Sequence, residues 1–195
     1  AVQVFTVDTQ FPIVTNITPV SGISIRNKRQ SFHADVSDNT GLKEARLSLD
    51  SGVWIIYPLL GKTGVVNYTP TVDMSNGMHY YYLLVYDLAG NVTLRTTRFT
   101  VDTIPPGVTN IIPVSGTSTT SKRQNFHADV SDTALKEARL RLDSGAWIIY
   151  RLLGKAGVVN YTPAIDMSIG IHYYYLLVYD LAGNGTLRIT NFVVY

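Results

Sequence analysis

Cysteine is missing from all 195 residues, so no disulfide framework holds this chain and no thiol chemistry is open to it. That absence does not fix the redox compartment, because a domain of ordinary size is stable on its core alone. Charge is sparse too: charged residues make up 15% of the chain, and the net charge is +2. So thin a balance excludes a strongly electrostatic partner as the default, nucleic acid included. No apolar run is long enough to span a bilayer and no signal peptide opens the chain, so no transmembrane segment is expected. Ala1 suits both a mature terminus left by signal cleavage and an arbitrary cut. Helical periodicity is lacking at any length, which leaves an all-β chain.

What the sequence does contain is itself, twice. Val7-Asp8-Thr9 aligns with Val101-Asp102-Thr103, and Phe32-His33-Ala34-Asp35-Val36 with Phe126-His127-Ala128-Asp129-Val130. One residue drops out where Asp38-Asn39-Thr40-Gly41-Leu42 faces Asp132-Thr133-Ala134-Leu135, and the match then resumes to Val101 and Val194. Roughly three quarters of the aligned positions are identical. A period near 93 residues is too long for a solenoid unit and suits one seven-stranded sandwich of about 100 residues. Each half is large enough for its own core.

Each copy centres on a long apolar run closed by a corner, Tyr86-Asp87-Leu88-Ala89-Gly90-Asn91 and Tyr179-Asp180-Leu181-Ala182-Gly183-Asn184. Gly90 supplies a backbone conformation other residues resist, while Asp87 and Asn91 can bond their own main chain or a cation. A strand ending in Asp-x-Ala-Gly-Asn, then a strand, then Val-Asp-Thr-x-x-Pro, resembles the bacterial and archaeal immunoglobulin-like repeats of surface proteins. The expected architecture is two tandem seven-stranded immunoglobulin-like β-sandwiches, residues 10–101 and 102–195, joined by a short stiff linker. Phe11-Pro12 and Pro105-Pro106 mark where the chain passes into each sandwich, since proline fixes its own φ and pushes its predecessor toward extended geometry.

Strands are expected near 13–19, 30–37, 42–49, 53–59, 64–69, 78–87 and 92–101, then near 107–113, 124–131, 135–142, 146–152, 157–162, 171–180 and 185–194. Phe32, Ala34 and Val36 alternate with His33, Asp35 and Ser37, the period of a half-buried strand. Asp50-Ser51-Gly52 reads as a hairpin turn. Residues 1–9 look displaced, because Phe5-Thr6-Val7-Asp8-Thr9 repeats Phe99-Thr100-Val101-Asp102-Thr103, a closing strand with its linker. They are either the tail of an upstream repeat or a donor strand completing a neighbour's sheet through Val2, Val4, Phe5 and Val7. Strand 78–87 is apolar or aromatic on both faces. Its outer residues Tyr80, Tyr82 and Tyr86, with Tyr173, Tyr175 and Tyr179 in the second copy, are either flanked by long neighbours or form an assembly interface.

Enzyme activity is not expected. The histidines lie far from any nucleophile elbow, His-Glu-x-x-His pair or phosphate loop. No cofactor is required, and calcium is the one candidate. An immunoglobulin-like topology would bring Asp8, Asp38, Asp87 and Asn91 to one end of the first sandwich, and Asp102, Asp132, Asp180 and Asn184 to a second set. Such oxygens suit a hard cation with six to eight ligands, and the resemblance implies a family some of whose repeats bind calcium at such junctions. The other reading makes them turn and Asx-bonding residues with no metal. Five glycosylation sequons begin at Asn16, Asn67, Asn91, Asn160 and Asn184, relevant only in a glycosylating pathway.

Together these point to an extracellular, cell-surface structural protein. It would be a filament subunit or adhesin stalk segment that associates with itself or with neighbouring repeats through strand pairing and domain contacts. The alternative is a glycan- or protein-binding module appended to a secreted enzyme or adhesin, with Trp54 and Trp147 as stacking platforms.

Overall fold

The structure, a computed structural model, describes residues 7–195. The chain is all-β, and it divides into two units, Ala1–Asp102 and Thr103–Tyr195. In the first unit the strands are β1 (Ile13–Thr18), β2 (Ser24–Ile25), β3 (Phe32–Ser37), β4 (Leu42–Leu49), β5 (Ile55–Pro58), β6 (Thr63–Tyr68), β7 (Gly77–Asp87) and β8 (Val92–Val101). They form two sheets, a three-stranded one in the order β1-β3-β6 and a five-stranded one in the order β2-β8-β7-β4-β5. All pairings are antiparallel except β2, which runs parallel to β8.

Alternation explains why these strands face one another. Phe32, Ala34 and Val36 from one sheet and Ala45, Leu47, Tyr81, Leu83, Val85 and Phe99 from the other are buried in a single cluster. The intervening residues of β3, His33, Asp35 and Ser37, are only partly covered. At the centre, Tyr81 packs against Phe32 and Phe99 and donates its hydroxyl to the Gln30 carbonyl at 2.7 Å, so a fully buried ring still satisfies its polar tip.

The second unit contains β9 (Gly107–Ile112), β10 (Thr117–Thr119), β11 (Phe126–Leu142), β12 (Ile148–Tyr161), β13 (Gly170–Asp180) and β14 (Gly185–Val194). Its core repeats the first, with Phe126, Ala138, Leu140, Tyr174, Leu176, Val178 and Phe192 buried together. The pairing differs from expectation. Strands expected separately at 124–131 and 135–142 run as one 17-residue strand, β11, and those at 146–152 and 157–162 as one 14-residue strand, β12. The hydrogen-bonded ladder therefore continues as one sheet in the order β10-β14-β13-β11-β12, with β9 also on β11. Sequence alternation did not anticipate β2 and β10, two short parallel pairings at the edges of β8 and β14. Residues 7–9, the described part of the leading segment, lie outside any strand, as do residues 10–12. Val2, Val4 and Phe5 fall outside the described residues.

Candidate metal centre

The corner after β7 is built by its sequence. Gly90 takes φ +96°, a left-handed conformation costly for side chains with a Cβ, and lets the chain reverse between β7 and β8. Asp87, fully buried at the end of β7, accepts the Asn91 amide on Oδ1 at 2.8 Å and the Asn91 side-chain amide on Oδ2 at 2.7 Å. The Asn91 side chain also donates to the Asp8 carbonyl at 3.2 Å, and the Thr93 hydroxyl donates to the Pro12 carbonyl at 2.6 Å. These two bonds tie the segment leading into the first unit to the corner.

The loop between β3 and β4 completes the arrangement. Asp38 Oδ1 accepts the amides of Thr40 and Gly41, each at 2.9 Å, and the Thr40 hydroxyl at 3.0 Å. That hydroxyl also contacts Asp8 Oδ2, and Asp8 Oδ1 accepts the Gln10 amide at 3.0 Å. Asp8, Asp38 and Asp87 thereby present carboxylate oxygens within 4.8 Å of one another. Burial works against the charge on Asp38, yet the Gly41 and Thr40 donors hold its carboxyl below the usual value. The Thr40 hydroxyl, followed by the Gln10 amide, does the same for Asp8. One atom is left over: Asp38 Oδ2 is buried and has no hydrogen-bond partner. Buried carboxylate oxygens are rarely left so, because desolvating a charge without a compensating bond is costly.

In the second unit, Asp132 and Asp180 also offer oxygens within 4.8 Å of one another. Asp180 accepts the Asn184 backbone amide at 2.8 Å and its side-chain amide at 2.7 Å, reproducing the first corner. Asp132 accepts the Ala134 amide at 2.9 Å and the Thr133 hydroxyl at 3.2 Å. Asp102, the last residue of the first unit, is buried with its amide on the Ile25 carbonyl at 2.8 Å. Thr40 and Gly41 were not singled out in the sequence. Their signal was available in Asp38-x-Thr-Gly, an Asx-turn pattern that places a hydroxyl and two amides around one carboxylate.

The histidines are committed to local bonds. His79 and His172 each bridge a turn aspartate, Asp50 or Asp143, and a carbonyl, Ser75 or Ser168. His33 and His127 bond Asn67 and Asn160, the asparagines of two sequons. Asn16 donates to Asp35 at 2.7 Å, while Asn91 and Asn184 spend their amide groups at the corners. On the outer sheet faces, Tyr80, Tyr82, Tyr86, Tyr175 and Tyr179 are half-buried and Tyr173 is exposed. Arg46 lies over the Tyr86 ring and Arg139 over Tyr179. Trp54 and Trp147 are 43% and 41% exposed, enough to leave ring surface open.

No protein-family model matches the chain, and no curated protein matches it. Among solved structures it is similar to dimeric latent PorU from Porphyromonas gingivalis, with TM-score 0.39 and 13% identity over 94% of this chain and 20% of that one. It is also similar to a tetra-tandem repeat in the extending region of a large adhesion protein, with TM-score 0.39 and 18% identity over 94% of this chain and 48% of the other. The chain therefore spans less than half the length of either protein. Among the described residues, no helix is long and apolar enough to cross a membrane.

Proposed function

We propose that the chain is extracellular structural material, an adhesin stalk segment or the subunit of a surface filament, built from tandem immunoglobulin-like sandwiches, with calcium stiffening the segment that leads into the first. The observation that carries the reading is repetition of whole cores. Each unit buries its own equivalent aromatic and aliphatic set, and the two sets use matching positions. Repeated scaffolding gains length from such duplication, whereas a specialised site has no need of a near-copy beside it.

Calcium enters through the chemistry of the donor set. Asp8, Asp38 and Asp87 supply hard oxygens, Asn91 stands beside them, and the unpartnered Asp38 Oδ2 lacks the bond a cation would provide. A bound divalent ion neutralises the clustered carboxylates. In this reading, Asp8 and Asp87 fasten the leading segment to the corner through it. Assembly would use the edges of β5 and β6, each of which pairs on one side only among the described residues.

Calorimetric titration with calcium tests the metal: heat uptake with a rise in melting temperature is expected, and no heat with no shift removes it. Negative-stain microscopy of the purified chain tests the scaffold. Rods or polymers are expected, and a single rounded particle around one shared cavity would overturn it. Polymers that persist after deletion of residues 1–9 would exclude donor-strand assembly.

A further inference from the structure

The two repeats diverge unevenly. Between residues 42–101 and 135–194, twelve of sixty paired positions differ. Seven of them lie on the outer face of the sheet containing β4, β7 and β8 or its counterpart: Ser48/Arg141, Pro58/Arg151, Met78/Ile171, Val92/Gly185, Thr96/Ile189, Arg98/Asn191 and Thr100/Val193. A further nine of twenty-nine pairs differ between residues 10–38 and 104–132, so what sets this face apart is the chemistry of its changes and not their number. In the second unit, three of these changes put isoleucine or valine where the first has methionine or threonine, and a fourth removes an arginine.

At the centre of that face stands Arg141. Its guanidinium lies 4.7 Å from the Trp147 ring centroid and 4.6 Å from that of Tyr175, on the register row that pairs Arg141 with Tyr175 and Tyr175 with Ile189. The neighbouring Arg139 is also over a ring, but its Nε donates to Glu137 at 2.7 Å. Arg46 in the first unit is likewise matched to Glu44. Arg141 has no such carboxylate among the described residues, and its Nε is buried without a hydrogen-bond partner. The residue it replaces, Ser48, is buried and satisfied on the Gly52 carbonyl at 3.0 Å. The second repeat therefore exchanges a settled position for a cation that lies against two rings with its Nε unspent. Planar, pre-oriented guanidinium is the chemistry that recognises a carboxylate through paired hydrogen bonds.

We propose that this face of the second unit is a docking surface for a partner protein that sets an aspartate or glutamate side chain against Arg141. The surroundings select protein over polysaccharide. Ile149, Ile171, Leu187 and Ile189 are each at least half exposed around the arginine. Aliphatic side chains offer a sugar no hydrogen bonds, but they fit the apolar rim of a protein interface with one charged anchor. The remaining charges on this face are the matched Glu137–Arg139 pair and the cation Arg151, which pairs with Glu137 across β11 and β12, so the field favours an acidic partner. The proposal does not depend on the scaffold reading or on calcium.

The test uses the full chain and a random glutamate–tyrosine copolymer as probe, with polygalacturonate as the competing acid, followed by biolayer interferometry. Two variants accompany the wild type. Arg141→Ser installs the residue the first repeat carries, and Arg141→Lys keeps the charge without the fork. Wild type is expected to bind the copolymer in a salt-sensitive manner, with affinity at least about tenfold weaker in Arg141→Ser and also weakened in Arg141→Lys. The emission of Trp147, read in a Trp54→Phe background, is expected to change on binding in wild type only. Failure of wild type to bind the copolymer, or equal binding by Arg141→Ser, overturns the proposal. Binding of polygalacturonate alone, lost in Arg141→Ser, also overturns it and gives the site to an acidic polysaccharide.

Discussion

The first unit interrupts its strands where the second carries them through, and two local changes account for the difference. Between β3 and β4 the first unit spends four residues, Asp38 to Gly41, on a loop that folds back over a carboxylate. The second has three, Asp132 to Ala134, and stays extended through them, with a register shift between Ser131 and Leu135 absorbing the missing residue. Further on, β5 stops at Pro58, which has no amide hydrogen to extend a ladder, while Arg151 at the matching position lies within β12. One core thus tolerates two arrangements of the strands around it. What the difference reaches is the carboxylate beside the loop: Asp38 collects three donors on one oxygen and leaves the other bare, while Asp132 collects two.

The largest effect tests whether the two cores are separate. Leu83 and Leu176 occupy matching, fully buried positions. Leu83→Ala and Leu176→Ala are each expected to cost about 2–5 kcal/mol, the range for a truncated core leucine. Scanning calorimetry should show each variant lowering the transition of its own unit and sparing the other. One merged transition that moves equally in both variants would break the comparison at its root.

Next comes the loop carboxylate. Asp38→Asn in a chelator should fall slightly below wild-type stability, because the Gly41 and Thr40 donors outweigh burial and favour the charged carboxylate. In calcium the variant should lose the stabilisation wild type gains, about 2.7 kcal/mol where calcium exceeds its dissociation constant a hundredfold. Thermal melts in the two buffers measure both arms. An identical calcium response in Asp38→Asn would locate binding elsewhere.

Much of this was legible in sequence because side-chain alternation and the duplicated corner both report backbone direction. Phe32, Ala34 and Val36 could face only one way, and the Asp87-to-Asn91 motif marks a turn whatever surrounds it. The fusion into β11 and β12 was not legible, because whether a three-residue gap bends or stays extended depends on pairing across the sheet. The short strands β2 and β10 escaped for the same reason, since parallel edge pairings of two or three residues leave no periodicity. The meeting of Asp8, Asp38 and Asp87 followed from topology. The bare oxygen on Asp38 did not, as it depends on how Thr40 and Gly41 turn their donors.

A smaller effect is read by pH in the second unit. Burial of His172 disfavours its charge, but Asp143 and the Ser168 carbonyl accept from its two ring nitrogens and together hold its pKa above the usual 6.5. A raised folded pKa contributes stability that is complete below the unfolded value and is lost as pH rises through the folded one. Denaturant melts of wild type and His172→Gln across that window should differ most on the acid side and converge above it. A difference that grows with rising pH would reverse the assignment.

The smallest effect concerns the edge. If a proline is what ends β5, then Arg151→Pro should shorten β12 toward the pattern of the first unit. Little stability is at stake, because the first repeat already places proline at this position opposite Glu44, the counterpart of Glu137. The cost should therefore stay within about 0.5 kcal/mol, the usual scale for a surface substitution. Hydrogen exchange gives the sharper readout: faster exchange confined to the amides near residues 151–155, with β11 and β13 unchanged. Loss of protection through the whole of β12 would mean that the continuous edge itself holds the second unit's sheet together, and that the two arrangements are not interchangeable.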